Sequence, residues 1–256
     1  MTDERKDQLT AEADGLIEGR NAVIEALRTE ASIDKIFIQK GEVDKTLGHI
    51  ASKARAAGIV VVEADRRKLD GMSRTHAHQG VIALAAVREY VSVDDILADA
   101  AAKNESPLIV VCDEISDPHN LGAIIRTAYC AGAHGVVIPK RRSAGLTSVV
   151  AKTSAGAVSH MKVARVPNIP SWLKDLKKQG VWVFGTAANG TTGLYDADLK
   201  GAAAIVIGSE GDGMTRLAAE NCDFLVSIPM KGDLNSLNAS ASAAILLYEA
   251  VRQRMN

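Results

Sequence analysis

Short apolar runs that stop at polar, glycine-marked turns constrain the second half of this chain most strongly. LIVVC (108–112), AIVIG (204–208) and DFLVSIP (223–229) lack the alternation of a strand with one wet face. They predict strands of a parallel sheet covered on both faces, about five of them in this half. Ligands of open α/β sheets bind beyond the carboxyl ends of such strands. The segments DPHNLGAIIR (117–126), IGSEGDG (207–213) and NSLNAS (235–240) are therefore where a small molecule is expected.

With 256 residues, 47% of them apolar, the chain has material for two packed cores. Residues 1–15 are almost wholly polar, which predicts a disordered start and no signal peptide. No run approaches the roughly 18 apolar residues of a membrane span, so the expectation is a cytoplasmic protein with no membrane contact. Residues 16–87 read as a small α/β layer: GRNAVIEALR and DKTLGHIASKARAAG as helices, KIFIQ, IVVVE and GVIALAAV as strands. Residues 88–106 are charged, hold a short amphipathic helix with Ser92 as its N-cap, and are expected to connect the two domains. Residues 107–256 form a second α/β unit ending in an alanine-rich helix.

The three cysteines, Cys112, Cys130 and Cys222, are far apart and read as buried thiols, with no metal-ligand spacing and no disulfide framework. A formal net charge of −1 gives no overall pull on nucleic acid. Any RNA contact must come from local patches.

Asp117 before Pro118 is a strong helix start, because aspartate caps free amides and proline's fixed φ suits the first turn. The helix is expected to run from residue 118 to about 130, with Leu121, Ile124, Ile125, Ala128 and Tyr129 as its buried stripe, Asn120 in its first turn and Arg126 off the stripe. In IGSEGDGM the glycines Gly208, Gly211 and Gly213 permit positive φ and close backbone approach, but the spacing is neither a Walker loop nor a dinucleotide fingerprint. Glu210 lies at the top of a buried strand, exposed to whatever fills the crevice. Ser236, Asn238, Ser240 and Ser242 open the last helix, where Ser236 is the plain N-cap reading and also a candidate to orient substrate. No Ser-His-Asp set, metal cluster or carboxylate pair accompanies them. The compatible chemistry is group transfer that depends on positioning.

These residues resemble the SpoU/TrmH group of SPOUT RNA ribose 2′-O-methyltransferases. NLGAIIRTA (120–128), VIGSEGDGM (206–214) and SIPMKGDLNSLNASASAA (227–244) resemble the family's three motifs in order. EGRNAVIEAL (18–27) and HQGVIA (78–83) resemble the L30e-like substrate-binding domain of the branch that contains bacterial 23S ribosomal RNA guanosine 2′-O-methyltransferases. The resemblance implies an α/β fold with a trefoil-knotted, mainly parallel carboxyl-terminal domain, S-adenosyl-L-methionine as methyl donor, and a homodimer through that domain. Carried over residue by residue, it implies catalytic roles for Asn120, Arg126, Glu210, Ser236 and Asn238. Cofactor contacts are implied at Thr186, Ala187, Gly208, Ile228 and Leu237.

A guanidinium is nearly always charged, which favours Arg126 as an electrostatic anchor for phosphate or alkoxide over the general-base role proposed in the family. RNA contacts are expected from Lys140, Arg141 and Arg142, and from Arg20, Arg66, Arg67, Lys68 and Arg74. The expected reaction is methylation of a guanosine ribose in 23S ribosomal RNA, as naked RNA or in an assembling large subunit, with the peptidyl-transferase P loop as the favoured target. A transfer-RNA guanosine methyltransferase, a ribosomal antibiotic-resistance methyltransferase and a catalytically silent ribosome-assembly factor stay open. An ordinary nucleotide-binding α/β protein lacks its phosphate motif here.

Overall fold

The computed structural model describes residues 15–41 and 44–255, so the expectation of a disordered start falls almost wholly outside the described residues. The chain divides into two compact units, residues up to Glu89 together with Gly145–Ala151, and Tyr90–Ala144 together with Lys152 onward.

The first unit carries β1 (Leu16–Glu18), α1 (Arg20–Arg28), β2 (Ile33–Gln39), α2 (Lys45–Ala56), β3 (Val60–Ala64), α3 (Arg66–Met72) and β4 (Val81–Ala85). Its mixed sheet has the order β1-β4-β2-β3, with β2 and β3 parallel and β4 antiparallel to both β1 and β2. Alternation along β2 sends Ile36 and Ile38 into a core with Val23, Leu47 and Ile50, and Phe37 into a second core with Leu69 and Ile82 on the other face. Asp44 caps α2 by accepting the Thr46 amide at 2.7 Å. Sequence patterning misses β1 and α3. A three-residue strand is too short to show a period, and α3 buries only Leu69.

The second unit opens with α4 (Val93–Ala102), capped by a reciprocal Ser92–Asp95 box. Ile96 of α4 is buried with Ile109 and Val137, and Val91, Val93 and Leu97 pack against that cluster, so one face of the helix in the expected connection joins the core of this unit. Seven strands follow: β5 (Leu108–Cys112), β6 (Gly135–Pro139), β7 (Val163–Val166), β8 (Trp182–Thr186), β9 (Thr192–Gly193), β10 (Ala203–Ile207) and β11 (Phe224–Ser227). They pair only in parallel, in the order β7-β6-β5-β10-β8-β11-β9. Helices α5 (Pro118–Cys130), α6 (Ser148–Thr153), α7 (Ile169–Lys178), α8 (Arg216–Ala219) and α9 (Ala239–Arg254) complete the described elements.

Strands β5 and β10 are neighbours, yet the chain leaves β5 toward β6 on one side and leaves β10 toward β11 on the other. That reversal of order opens a crevice at their carboxyl ends, which is where α/β sheets hold ligands.

Three expectations of burial fail in this unit. Tyr129, placed on the buried stripe of α5, is 48% exposed and stacks on His160 with ring centroids 5.5 Å apart. Cys130, at the last turn of the same helix, is exposed, whereas Cys112 is buried and Cys222 partly so. Phe224 opens a run that reads as doubly covered, but β11 has only the two-residue β9 beyond it and the ring is 38% exposed.

Candidate active site

The crevice is built from three turns anchored to one another. Asp113, directly after β5, is tied across the sheet to the end of β10: its backbone N–H donates to the Ile207 carbonyl at 2.8 Å. Its carboxylate, 2% exposed at the residue level, accepts the Thr215 amide at 2.7 Å. This buried acid therefore ties the far end of the turn after β10 back to β5. Sequence reasoning overlooked it, although an aspartate closing an apolar strand is the signal that marks such a clamp.

Between those two attachments, Ser209 and Gly213 exchange backbone hydrogen bonds of 2.9 and 3.0 Å and close a tight loop that lifts Glu210 into solvent. A side chain at Gly208 would run into the backbone of Gly213 and Met214, so close approach is what that glycine permits. Gly213 alone of the three glycines has a positive φ, 69°, and Gly211 needs neither freedom.

Asp117 caps α5 through the His119 amide at 2.9 Å, with Pro118 in the first turn. Its second oxygen accepts from Asn120 Nδ2 at 3.2 Å. Asn120, 8% exposed, also donates Nδ2 to Glu210 and accepts from Asn238 Nδ2 at 2.9 Å through Oδ1. Three sequence-distant motifs thus meet on one amide. All of Asn120's bonds orient it, and Glu210, held through one oxygen, stays exposed.

Asn238 is also the N-cap of α9. Its Oδ1 accepts from the Ser240 amide at 2.9 Å and the Ala241 amide at 3.3 Å. Ser236, read from sequence as the plain cap, is exposed and lies two residues outside the helix, because Asn238 reaches the free amides first. Arg126 is exposed on α5, and no hydrogen bond or ion pair holds it among the described residues. The structure joins Asn120, Glu210 and Asn238 directly, and leaves Arg126 and Ser236 unattached to them.

The residues expected to border a cofactor follow the ends of adjacent strands. Thr186 ends β8 and donates its hydroxyl to the Val206 carbonyl at 3.1 Å, while the Ala187 amide bonds the Val226 carbonyl at 3.0 Å. Gly208 follows β10 and Ile228 follows β11, so the four share one rim of the sheet. Leu237, 38% exposed, precedes Asn238.

The basic residues differ in freedom. Arg20 is drawn into the fold by Asp44 at 2.6 Å and by the Gln79 carbonyl at 3.0 Å. Lys68 sits over the Phe37 ring at 5.1 Å, and Arg66 lies 3.9 Å from Asp70. Arg142 pairs with Glu114 at 3.2 Å, Arg74 is exposed but bonds Glu18 through its backbone amide at 2.8 Å, Arg67 and Arg141 are exposed, and Lys140 is half-buried. Among the described residues no cluster of three or more potential metal ligands occurs, and no helix is long and apolar enough to cross a membrane.

Residues 107–248 match the model of the SpoU rRNA Methylase family, and residues 16–91 match that of RNA 2′-O ribose methyltransferase substrate binding. YacO of Bacillus subtilis, named for the TrmH family of tRNA/rRNA methyltransferases, is 46% identical over 236 residues, which span 92% of this chain and 94% of YacO. A Staphylococcus aureus protein named for the same family is 44% identical, over 94% of this chain and 97% of its own length. Among solved structures, the SpoU methyltransferase AviRb of Streptomyces viridochromogenes in complex with AdoMet superposes with a TM-score of 0.60 at 26% identity, covering 94% of this chain and 90% of AviRb. An AdoMet-bound rRNA methyltransferase of Sinorhizobium meliloti gives 0.57 at 26% identity, over 93% of this chain and 86% of that one.

Proposed function

The chain belongs to the SpoU/TrmH family of RNA 2′-O-ribose methyltransferases, and from that premise we propose that it methylates the ribose of a guanosine in 23S ribosomal RNA, in the peptidyl-transferase P loop. The coarser activity, transfer of a methyl group to a ribose 2′-hydroxyl of ribosomal or transfer RNA, comes with the family. The single observation that carries the site assignment is the convergence of Asn120, Glu210 and Asn238, from three separate motifs, at the mouth of the β5/β10 crevice. The finer choice of ribosomal RNA rests on the substrate-binding unit at residues 16–91 and on the AdoMet-bound rRNA methyltransferase among the structural relatives.

The rim of the sheet suits S-adenosylmethionine. Ile228 and Leu237 offer partly exposed apolar surface next to the backbone of Gly208 and the Thr186–Ala187 turn, and Glu210 supplies a carboxylate within the same crevice. When bound, that donor supplies a methyl group made electrophilic by its sulfonium. The chain's part is to hold a ribose hydroxyl in line with that methyl and to favour loss of its proton, since correct placement can lower such barriers by several kcal/mol. Asn120, fixed by Asp117, Glu210 and Asn238, keeps the motifs in register. Arg126 is the electrostatic anchor for a phosphate or the developing alkoxide, because it stands exposed on α5 with no hydrogen bond or ion pair to another described residue. Ser236 is placed to bond the substrate, having no helix amide to cap.

The proposal includes a homodimer through the second unit, with the knotted topology of the family, in a cytoplasmic protein. The exposed Tyr129 on α5 and Tyr248 on α9, two helices that pack on each other, support such an interface. Mapping of ribose methylation across ribosomal and transfer RNA from cells lacking the protein tests the substrate. Loss of one 2′-O-methylguanosine in 23S RNA is expected; loss only at a transfer-RNA position would redirect the assignment.

A further inference from the structure

A second cavity, of about 400 Å³, lies at the opposite ends of the strands from the methyl-transfer crevice. It forms where β8 and β11 begin, so Trp182, Phe184 and Phe224 face it from the sheet. Register places Phe224 directly beside Phe184, and Trp182 lies two residues earlier on the same face of β8. The Phe184 and Phe224 rings stack at 5.1 Å, and Trp182 tilts against Phe224 at 5.7 Å. The far wall comes from the segment after β9, which brings Asp196 and Asp198.

Two facts define what fits there. Trp182 is 56% exposed and Phe224 38%, a large aromatic surface left wet at the start of β8 and β11. The lining holds two exposed carboxylates and no lysine, arginine or histidine. An apolar occupant would desolvate both carboxylates, of which Asp198 accepts one backbone hydrogen bond, from Lys200 at 3.1 Å, and an anion would be repelled by them. RNA phosphate is excluded on the same ground. Aromatic faces joined to carboxylates attract organic cations, since the negative ring face and the carboxylate both favour positive charge.

We propose that this cavity is a docking site for an arginine or lysine side chain carried by a basic polypeptide segment. The openness of the site decides for a polypeptide. A pocket for a free small molecule encloses about 70–90% of its ligand, whereas here the largest ring stands more than half in solvent. A side chain reaching in from an extended chain needs no such enclosure, because its backbone rests on the rim. The site lies at the far end of the sheet from Asn120, Glu210 and Asn238, and it recruits a protein partner while the crevice holds RNA.

The test uses the full-length protein and an octapeptide of alternating arginine and glycine, followed by calorimetry at low salt. Its glutamate-for-arginine counterpart and spermidine serve as controls. Specific binding of the arginine peptide is expected, weakened about tenfold or more in the Asp196→Asn/Asp198→Asn double variant and similarly in Phe224→Leu. The double variant should retain its methylation rate, because neither aspartate touches the crevice. Equal affinity in wild type and double variant, or no binding at all, overturns the proposal. Spermidine binding as tightly as the peptide, with the same loss in the double variant, would assign the site to a free cation and overturn the polypeptide. Sedimentation showing that Trp182→Leu dissociates an oligomer would make a second copy the occupant, with the same consequence. The calorimetric and sedimentation readouts do not depend on methyl transfer, so failure of this proposal is distinguishable from failure of the assigned reaction.

Discussion

Arg126 projects from α5 as an exposed guanidinium that nothing among the described residues neutralises. On the proposed function such a free charge acts on substrate, and Arg126→Ala should slow methyl transfer by about 100-fold to 1,000-fold, the scale of losing one transition-state anchor. Calorimetry should show S-adenosylmethionine affinity nearly unchanged. An affinity that falls in step with the rate would place the arginine in cofactor binding instead. Glu249 makes a second residue-scale prediction. Hydrogen bonds from Arg252 and then Gln253 hold its carboxyl down at about 2, against an ordinary value of 4.5. Because the folded value lies below the unfolded one, its stabilisation is complete above about pH 4.5 and fades as pH falls toward 2. The melting-temperature gap between wild type and Glu249→Gln should therefore be larger at pH 7 than at pH 2.5. A gap independent of pH would contradict the assignment. The residues themselves were legible to different degrees. Asn120, Glu210 and Asn238 stand in motifs with a recognisable order, whereas Asp113 reads as the end of an apolar run until its carboxylate is seen on the Thr215 amide.

At the scale of elements, the turn after β10 is the part whose shape matters most. It is clamped at one end by the packing of Gly208 against Gly213 and Met214, and at the other by Asp113. Asp113→Ala leaves the Thr215 amide without its acceptor and should cost about 1–3 kcal/mol of stability, together with a drop in turnover. Asp113→Asn keeps an acceptor oxygen and should restore most of both. Urea unfolding and single-turnover rates measure this, and an alanine variant as active and stable as wild type would remove the clamp from the account. The long elements were readable because their causes are local: Asp117 with Pro118 starts α5, and Ser92 starts α4. What each element packs against was not: α4 reads as a helix within a connection, yet its Ile96 belongs to the core around Ile109 and Val137. The exposure of Tyr129 and Phe224 follows from which neighbour covers each element, information that periodicity does not hold.

For the whole molecule, RNA affinity must arise from patches, since the net charge is only −1. Lys140, Arg141 and Arg142 form one, although the pairing of Arg142 with Glu114 makes it a weaker contributor than Arg141. Replacing the three by alanine should flatten the dependence of RNA affinity on salt by about two to three units of slope; an unchanged slope would take the cluster out of the footprint. Arg20, bound to Asp44, should contribute little to that slope. The two-unit organisation and the parallel sheet could be anticipated from hydrophobic patterning. The strand order, with β10 between β5 and β8, could not, because β5, β6 and β10 carry similar apolar runs that do not name their neighbours. The most direct test of the central claim is incubation of purified protein with S-adenosylmethionine labelled on its methyl group and with 23S ribosomal RNA or large-subunit precursors, followed by nucleoside mass spectrometry. The account predicts label in 2′-O-methylguanosine, incorporated at least about 100-fold more slowly by the Arg126→Ala variant. Label found on a base, or no transfer to any ribosomal or transfer RNA offered, would contradict it.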